Sequence, residues 1–285
     1  MIQKKSLGQN FLNSNKVVSD IIEASKVSNN DLVIEVGPGE GVLTEALLKV
    51  GATVVSIEKD DRLIPLLENK FESEIEKGKF KLIHADILNL GMSRTVLDIR
   101  KGYKVVANIP YYITGQILRK FLESEIPPKS MTLMVQKAVA ERIVAKPNSR
   151  NSTAQSNKVG SKARRGKESL LSLSVKIYGD PVYIKTISRA FFKPQPNVDS
   201  AILHIQNIRN PFPKDRPMEK EGFFKLIHAG FAHKRKRLFK NLTLIYSPEN
   251  VQKAFMDVGV QENIRAEDLS LEEWVKLCDN FKSKK

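Results

Sequence analysis

The sequence predicts an α/β protein: a mostly parallel sheet covered by helices, followed by a smaller all-helical C-terminal domain. Three observations carry this. Short β-branched runs alternate with stretches whose apolar residues recur at helical spacing. A glycine-rich loop joins the first such run to the first such helix. Past Ile205 the strand signal stops, and proline and charge take over.

The elements follow in order. "LVIEV" (32–36) is the first strand and "GVLTEALLKV" (41–50) its helix. "TVVSI" (53–57) is followed by the helical "DRLIPLLENKF" (61–71). "KLIHA" (81–85), "KVVAN" (104–108) and "MTLMV" (131–135) are three further strands. Strands separated by helices lie parallel, with helices on both faces of the sheet. "VYIKTI" (182–187) and "DSAILHI" (199–205) flank the proline-rich "FFKPQPNV" (191–198). Their separation is too short for a helical crossover, so they pair antiparallel. Residues 206–222 hold three prolines and many charges and read as a linker. Beyond it "FFKLIHAGFAHKRKRLFKNL" (223–242), "SPENVQKAFMDVG" (247–259) and "SLEEWVKLCDNF" (270–281) read as helices. Ser247 before Pro248, with Glu249 in the first turn, marks a capped start. The reading therefore divides the chain into a domain over 1–205, a linker over 206–222 and a helical domain over 223–285. Within the first, 147–168 is polar, Ser/Asn-rich and basic, with almost nothing to bury, and is expected to be disordered.

Composition bounds the function. Of 285 residues, 41% are apolar, enough for a substantial core, and 47 Lys and Arg stand against 32 Asp and Glu. The resulting net charge of +15 favours a polyanionic partner, nucleic acid before all others. There is no run of ~18 apolar residues to span a bilayer, and no basic amphipathic helix to lie on one. The N-terminus lacks the apolar core of a secretion signal. The single cysteine, Cys278, permits no internal disulfide and no cysteine cluster for zinc. No metal is expected, the cytoplasm is favoured, and nothing demands more than a monomer.

"VIEVGPGEGVLTEALL" (33–48) sets Gly37, Gly39 and Gly41 between strand and helix, where the chain must turn sharply and a ligand can approach the backbone. The spacing is G-x-G-x-G, not the dinucleotide fingerprint, and no P-loop lysine follows. Glu58 ends the next strand, where a carboxylate accepts hydrogen bonds from both ribose hydroxyls. Asp86 ends the following strand and suits an adenine amino group; Glu35 adds negative potential or positions the loop. Carboxylates at successive strand ends, without phosphate-binding groups, fit S-adenosylmethionine, a cationic cofactor with an adenosine and no phosphate.

"NIPYYITGQIL" (108–118) places Asn108 at the end of the fourth strand, on the same edge. The lone pair of an adenine amino group is delocalised into the ring. Two acceptors on its hydrogens, the Asn108 amide oxygen and the Ile109 carbonyl, draw the nitrogen towards tetrahedral geometry. Pro110 stiffens the turn and Tyr111 stacks on the purine. A flipped base also needs a second ring; Phe191 and Phe192 both qualify on spacing.

These motifs resemble those of the ribosomal RNA adenine N6-dimethyltransferases, specifically the branch that modifies two adjacent adenines near the 3′ end of small-subunit rRNA. The resemblance rests on "KKSLGQNFL", "EVGPGEGVLT", "IEKD", "HADIL", "NIPYYIT", "QKAVAERI", "FFKPQPNVDSA", "FAHKRKRLFKNL" and "RAEDLSLEEW". It implies a Rossmann-like S-adenosylmethionine methyltransferase sheet of seven strands with a smaller helical C-terminal domain. It also implies that Asn10, Leu12, Gly37, Glu58, Asp86 and Asn108 contact the cofactor, that "NIPY" is the catalytic loop, and that Phe192 is the second stacking ring. The implied partner is small-subunit rRNA in an immature 30S-type particle. The family passes quickly from the "AERI" helix to "LSLSV", so the basic stretch 147–168 is an insertion.

"HKRKRLFK" (233–240) clusters Lys234, Arg235, Lys236, Arg237 and Lys240, the first four being the candidate RNA contacts, on an expected helix. Two competing readings stand beside the enzyme: a non-enzymatic ribosome-assembly or transcription factor on the same fold, and a methyltransferase of DNA, protein or a small molecule. The intact "GPGEG" and "NIPYY" oppose the first, and the charge opposes small molecules.

Overall fold

The computed structural model describes residues 11–91, 102–147, 166–212 and 217–282. Asn10 and most of the basic insertion (148–165) lie outside these. The chain divides into two compact units, residues 1–140 with 179–209, and residues 141–178 with 210–285.

The first unit is built on a seven-stranded sheet. Its strands are β2 (Leu32–Val36), β3 (Thr53–Glu58), β4 (Phe80–His84), β5 (Lys104–Asn108), β6 (Ser130–Gln136), β7 (Asp180–Ile187) and β9 (Ser200–Gln206), in the order β4-β3-β2-β5-β6-β9-β7. The first five are parallel, and β9 runs antiparallel to both β6 and β7. Every strand expected from the sequence is present, and the antiparallel pair lies where its short connection requires it. A two-residue strand β1 (Phe11–Leu12) pairs with β8 (Phe192–Lys193), setting Leu12 opposite Phe192.

Parallel strands covered on two faces become continuous apolar runs. Val33 and Ile34 of β2 are fully buried, as are Val105 and Ala107 of β5. Helix α1 (Asn15–Ser25) is capped by Ser14, whose hydroxyl accepts from the Val17 N–H, and lays Val17, Val18 and Ile21 into the core. Helix α2 (Val42–Lys49) follows the glycine loop and buries Leu43 and Leu47. Helices α3 (Ile64–Lys70) and α4 (Glu72–Glu76) join β3 to β4. Helix α5 (Thr114–Leu122) follows β5 and buries Ile117, Leu118, Phe121 and Leu122. The long side of this face is apolar at every third or fourth position, which is what commits it to the core.

Helix α6 (Lys137–Val144) leads out of the sheet unit. The second unit contains α7 (Leu170–Lys176), α8 (Pro217–Gly230), α9 (Leu238–Leu242), α10 (Pro248–Val258) and α11 (Leu271–Lys282). Trp274, Phe255, Leu226 and Ile227 form its fully buried centre. By packing, residues 141–178 group with the C-terminal helices, where the Glu168 N–H donates to the Glu267 carbonyl at 2.8 Å. The buried Glu168 carboxylate takes the Lys176 ammonium and the Ser172 hydroxyl, both at 2.5 Å.

Two expectations need correction. Residues 217–222, read as linker, are the first turns of α8, because Pro217 sits at a helix start, where its missing N–H costs nothing. The stretch 223–242, read as one helix, is two. The chain leaves α8 after Gly230 and re-enters helix at Leu238, so Lys234–Arg237 lie in the turn between them. The Asn241 amide fixes this break, donating to the carbonyls of Gly230 at 2.5 Å and His233 at 3.2 Å. Ser247 caps α10 as expected, accepting from the Asn250 N–H at 3.3 Å.

Candidate active site

The parallel strands β2 to β5 deliver their carboxyl ends to one edge, and a cleft opens there. Its walls include Leu12, Glu35, Gly37, Gly39, Glu58, Asp86, Asn108, Ile109, Pro110 and Tyr111.

The glycine turn forms the floor. Gly37, Gly39 and Gly41 all have positive φ. At Gly37 (φ 68°) an added Cβ would meet nothing within 4 Å, so the backbone there is presented bare. Gly41 is not among the cleft-lining residues. It precedes α2 at φ 77°, and its Cβ position lies 2.6 Å from the Phe71 ring, so it is a packing glycine.

Beneath the turn Glu35 is 1% exposed, and one of its oxygens accepts from the Thr44 hydroxyl at 2.6 Å and the Ser56 hydroxyl at 2.7 Å. Register brings Ser56 there, since Glu35 and Ser56 pair across β2 and β3. Burial pushes the Glu35 carboxyl up to about 7, and the neighbouring Glu58 adds to the rise. Glu58 itself accepts from the backbone N–H groups of Gly39 (3.3 Å), Lys59 (2.9 Å) and Asp60 (2.8 Å). Burial raises its pKa against those three donors.

Asp86 is held differently. Lys59 Nζ donates to it at 2.8 Å and the Leu88 N–H at 2.9 Å, and the Lys59 ammonium holds its carboxyl below the ordinary range. Lys59 was not singled out in the sequence, although it adjoins Glu58.

The "NIPYY" stretch completes the wall. Asn108 ends β5, opposite Met134. Pro110 (φ −58°, ψ 133°) turns the chain into a single 3-10 turn over Tyr111–Ile113, and the Thr114 hydroxyl donates to the Tyr111 carbonyl at 2.9 Å. Tyr111 is half-buried, with its hydroxyl 2.5 Å from the Ser200 Oγ at the start of β9. Ser200 is 89 residues away in sequence, and no local signal could have found it. Phe192 is placed otherwise: it is 4% exposed, in the core behind Leu12, and is not among the cleft-lining residues, whereas Phe191 is 39% exposed. Lys234, Arg235, Lys236 and Arg237 belong to the second unit and are all exposed.

The donor set fits an adenosine-bearing cation. Bare backbone at Gly37, the carboxyls of Glu35, Glu58 and Asp86, and the absence of a lysine from the glycine turn oppose a polyphosphate and favour ribose, amino and cationic groups. Among the described residues there is no group of three or more His, Cys, Asp or Glu placed to hold a metal ion, and no helix is long and apolar enough to cross a membrane.

The sheet order and the glycine turn at its carboxyl edge define the class: a Rossmann-like methyltransferase. Solved structures share this fold. A dimethyladenosine transferase from Plasmodium falciparum aligns with a TM-score of 0.73 at 22% identity, covering 96% of this chain and 98% of that one. The 23S rRNA methyltransferase ErmE aligns at 0.70 and 24%, covering 96% and 100%. The sequence carries the assignment further. The pattern of the family described as ribosomal RNA adenine dimethylase matches residues 2–283, and the chain belongs to that family. The ribosomal RNA small subunit methyltransferase A of Dehalococcoides mccartyi (strain BAV1) is 41% identical over 280 residues, covering 96% of this chain and 87% of the relative. The protein of the same name from Fusobacterium nucleatum is 37% identical over 284 residues, covering 99% and 98%.

Proposed function

We propose that this enzyme transfers methyl groups from S-adenosylmethionine to the N6 amino groups of two adjacent adenines near the 3′ end of small-subunit rRNA, within an immature small-subunit particle. One observation supports this most directly: a single cleft joins the acid-lined glycine turn to the Asn108–Tyr111 wall. The kinship with proteins named for the small ribosomal subunit supports the choice of rRNA.

When bound, the cofactor supplies an electrophilic sulfonium methyl. Glu58 receives the ribose hydroxyls, Asp86 the adenine amino group, and Leu12 and the Gly37–Gly39 backbone close around the rest; Asn10 belongs to the same set. Asn108 serves the target base. Its side-chain oxygen and the Ile109 carbonyl accept the two N6 hydrogens, which localises the nitrogen lone pair. Pro110 fixes the angle between those acceptors. Tyr111 stacks on the purine, and its bond to Ser200 anchors the hydroxyl end of the ring. The second stacking ring comes from the Phe191–Phe192 segment, with Phe192 the family's position. No shifted base is needed, since the proton leaves once the amine has become cationic. Lys234, Arg235, Lys236 and Arg237 supply phosphate contacts that give affinity without sequence choice.

Asn108→Ala tests the assignment. It should abolish methyl transfer to immature small subunits while RNA affinity stays within about twofold, measured by labelled-cofactor incorporation and filter binding. Undiminished turnover would refute the role.

A further inference from the structure

The two tyrosines of "NIPYY" are neighbours with opposite surroundings. Tyr111 is half-buried and tied by its hydroxyl to Ser200. Tyr112 also lines the cleft, yet 64% of its surface is open to solvent. Among the described residues its side chain makes no hydrogen bond and no ring contact, so its ring is open to a partner at the mouth of the cleft. The same lip carries Lys59, whose ammonium is held by Asp86 at 2.8 Å while 57% of its side chain stays exposed. Lys59 and Tyr112 line the same cleft. An open aromatic face beside an anchored cation is the pairing that single-stranded nucleic acid asks for: a surface for a base and a charge for its phosphate.

We propose that Tyr112 and Lys59 form a rim subsite that holds the nucleotide next to the target adenine, Tyr112 stacking on its base and Lys59 pairing with its phosphate. This rests on the reading of the enzyme as an RNA adenine methyltransferase. A single-stranded segment with one base drawn into the cleft must leave its neighbour at the mouth. Tyr111 cannot serve that neighbour, because its hydroxyl points into the protein at Ser200. With two adjacent targets, the subsite would also keep the second adenine at hand while the first is modified.

The test separates stacking from folding. Tyr112→Ala should raise KM for the immature particle about tenfold, equivalent to about 1.4 kcal/mol, with kcat and cofactor affinity within about twofold of the parent. Tyr112→Phe and Tyr112→Trp should restore KM, since each keeps a ring. An unchanged KM for the alanine variant, a loss that phenylalanine does not rescue, or a parallel fall in cofactor affinity would each overturn the subsite. Anisotropy with a short adenine-containing single-stranded RNA is read independently of turnover. Parent binding several-fold tighter than Tyr112→Ala, with no methyl transfer by the parent to the immature particle, would sink the methyltransferase reading yet keep the rim as a site for single-stranded RNA. Equal binding by parent and variant, or binding by neither, would sink the subsite.

Discussion

Tyr111 and Ser200 illustrate how the cleft is held residue by residue. A stacking ring is useful only if it is held in place, and a hydrogen bond to a strand 89 residues away anchors its hydroxyl end. Tyr111→Phe keeps the ring and loses the anchor; Ser200→Ala loses the same bond from the other side. Each should lower turnover severalfold. The double variant should be no worse than either single one, since coupled partners are not additive. Kinetics of the four proteins would show it, and simple additivity would dissolve the pair. Gly41 does a different job. Alanine there meets both a left-handed backbone at φ 77° and the Phe71 ring at 2.6 Å. Gly41→Ala should cost about 1–3 kcal/mol in urea unfolding, even without cofactor.

At the scale of elements, two of the sheet's buried titratable groups, Glu35 and His204, act in opposite directions. Glu35, in β2, titrates at about 7 in the folded protein because it is buried, against an ordinary 4.5. The unfolded chain therefore sheds that proton first, and this contribution weakens the fold as pH rises from 4.5 to 7. His204, in β9, sits opposite Thr132 with its Nδ1 2.9 Å from the threonine hydroxyl, and burial lowers it to about 4 from 6.5. Here the unfolded chain takes up the proton first, and the fold weakens as pH falls from 6.5 to 4. Glu35→Gln should stabilise relative to the parent at pH 8, with the gain gone at pH 4.5. His204→Gln should flatten the acid limb. Urea midpoints across pH 4 to 8 would check both, and pH-independent differences would contradict the burial argument.

Elements were legible where local chemistry decides them. The strands read directly because buried parallel strands are β-branched throughout, and the α10 start read directly because Ser-Pro is a helix-opening pair. The basic turn did not: apolar residues on both sides of "HKRKR" continue a helical spacing, and only the Asn241 amide reaching back to Gly230 and His233 breaks it. The same division holds in the cleft. Gly37, Glu58, Asp86 and Asn108 were legible because each ends a strand or follows one within two residues, and strand ends share an edge. Lys59, Ser200 and the exposure of Tyr112 were not, because they depend on which residues approach across the fold. Phe192 shows the limit of register: the motif selects it, and pairing with Leu12 buries it.

At the scale of the whole molecule, charge sets affinity and the cleft sets chemistry. The net +15 is spread over both units, but Lys234–Arg237 stand together on an exposed turn. Binding that neutralises Z phosphates weakens with salt at a log–log slope of roughly −0.7Z to −0.9Z. Replacing all four by Gln should shallow the slope for immature small subunits by up to about 3, with cofactor affinity unchanged. Titrations between low and moderate salt would read this directly, and an unchanged slope would remove the turn from the RNA interface.

The central claim concerns what leaves the cleft modified. Immature small subunits incubated with the protein and labelled S-adenosylmethionine, followed by mapping of the methylated nucleotides, address it most directly. The expected result is N6 methylation confined to two adjacent adenines near the 3′ end of the small-subunit rRNA. Label on other nucleotides, on large-subunit rRNA, or on none would contradict it.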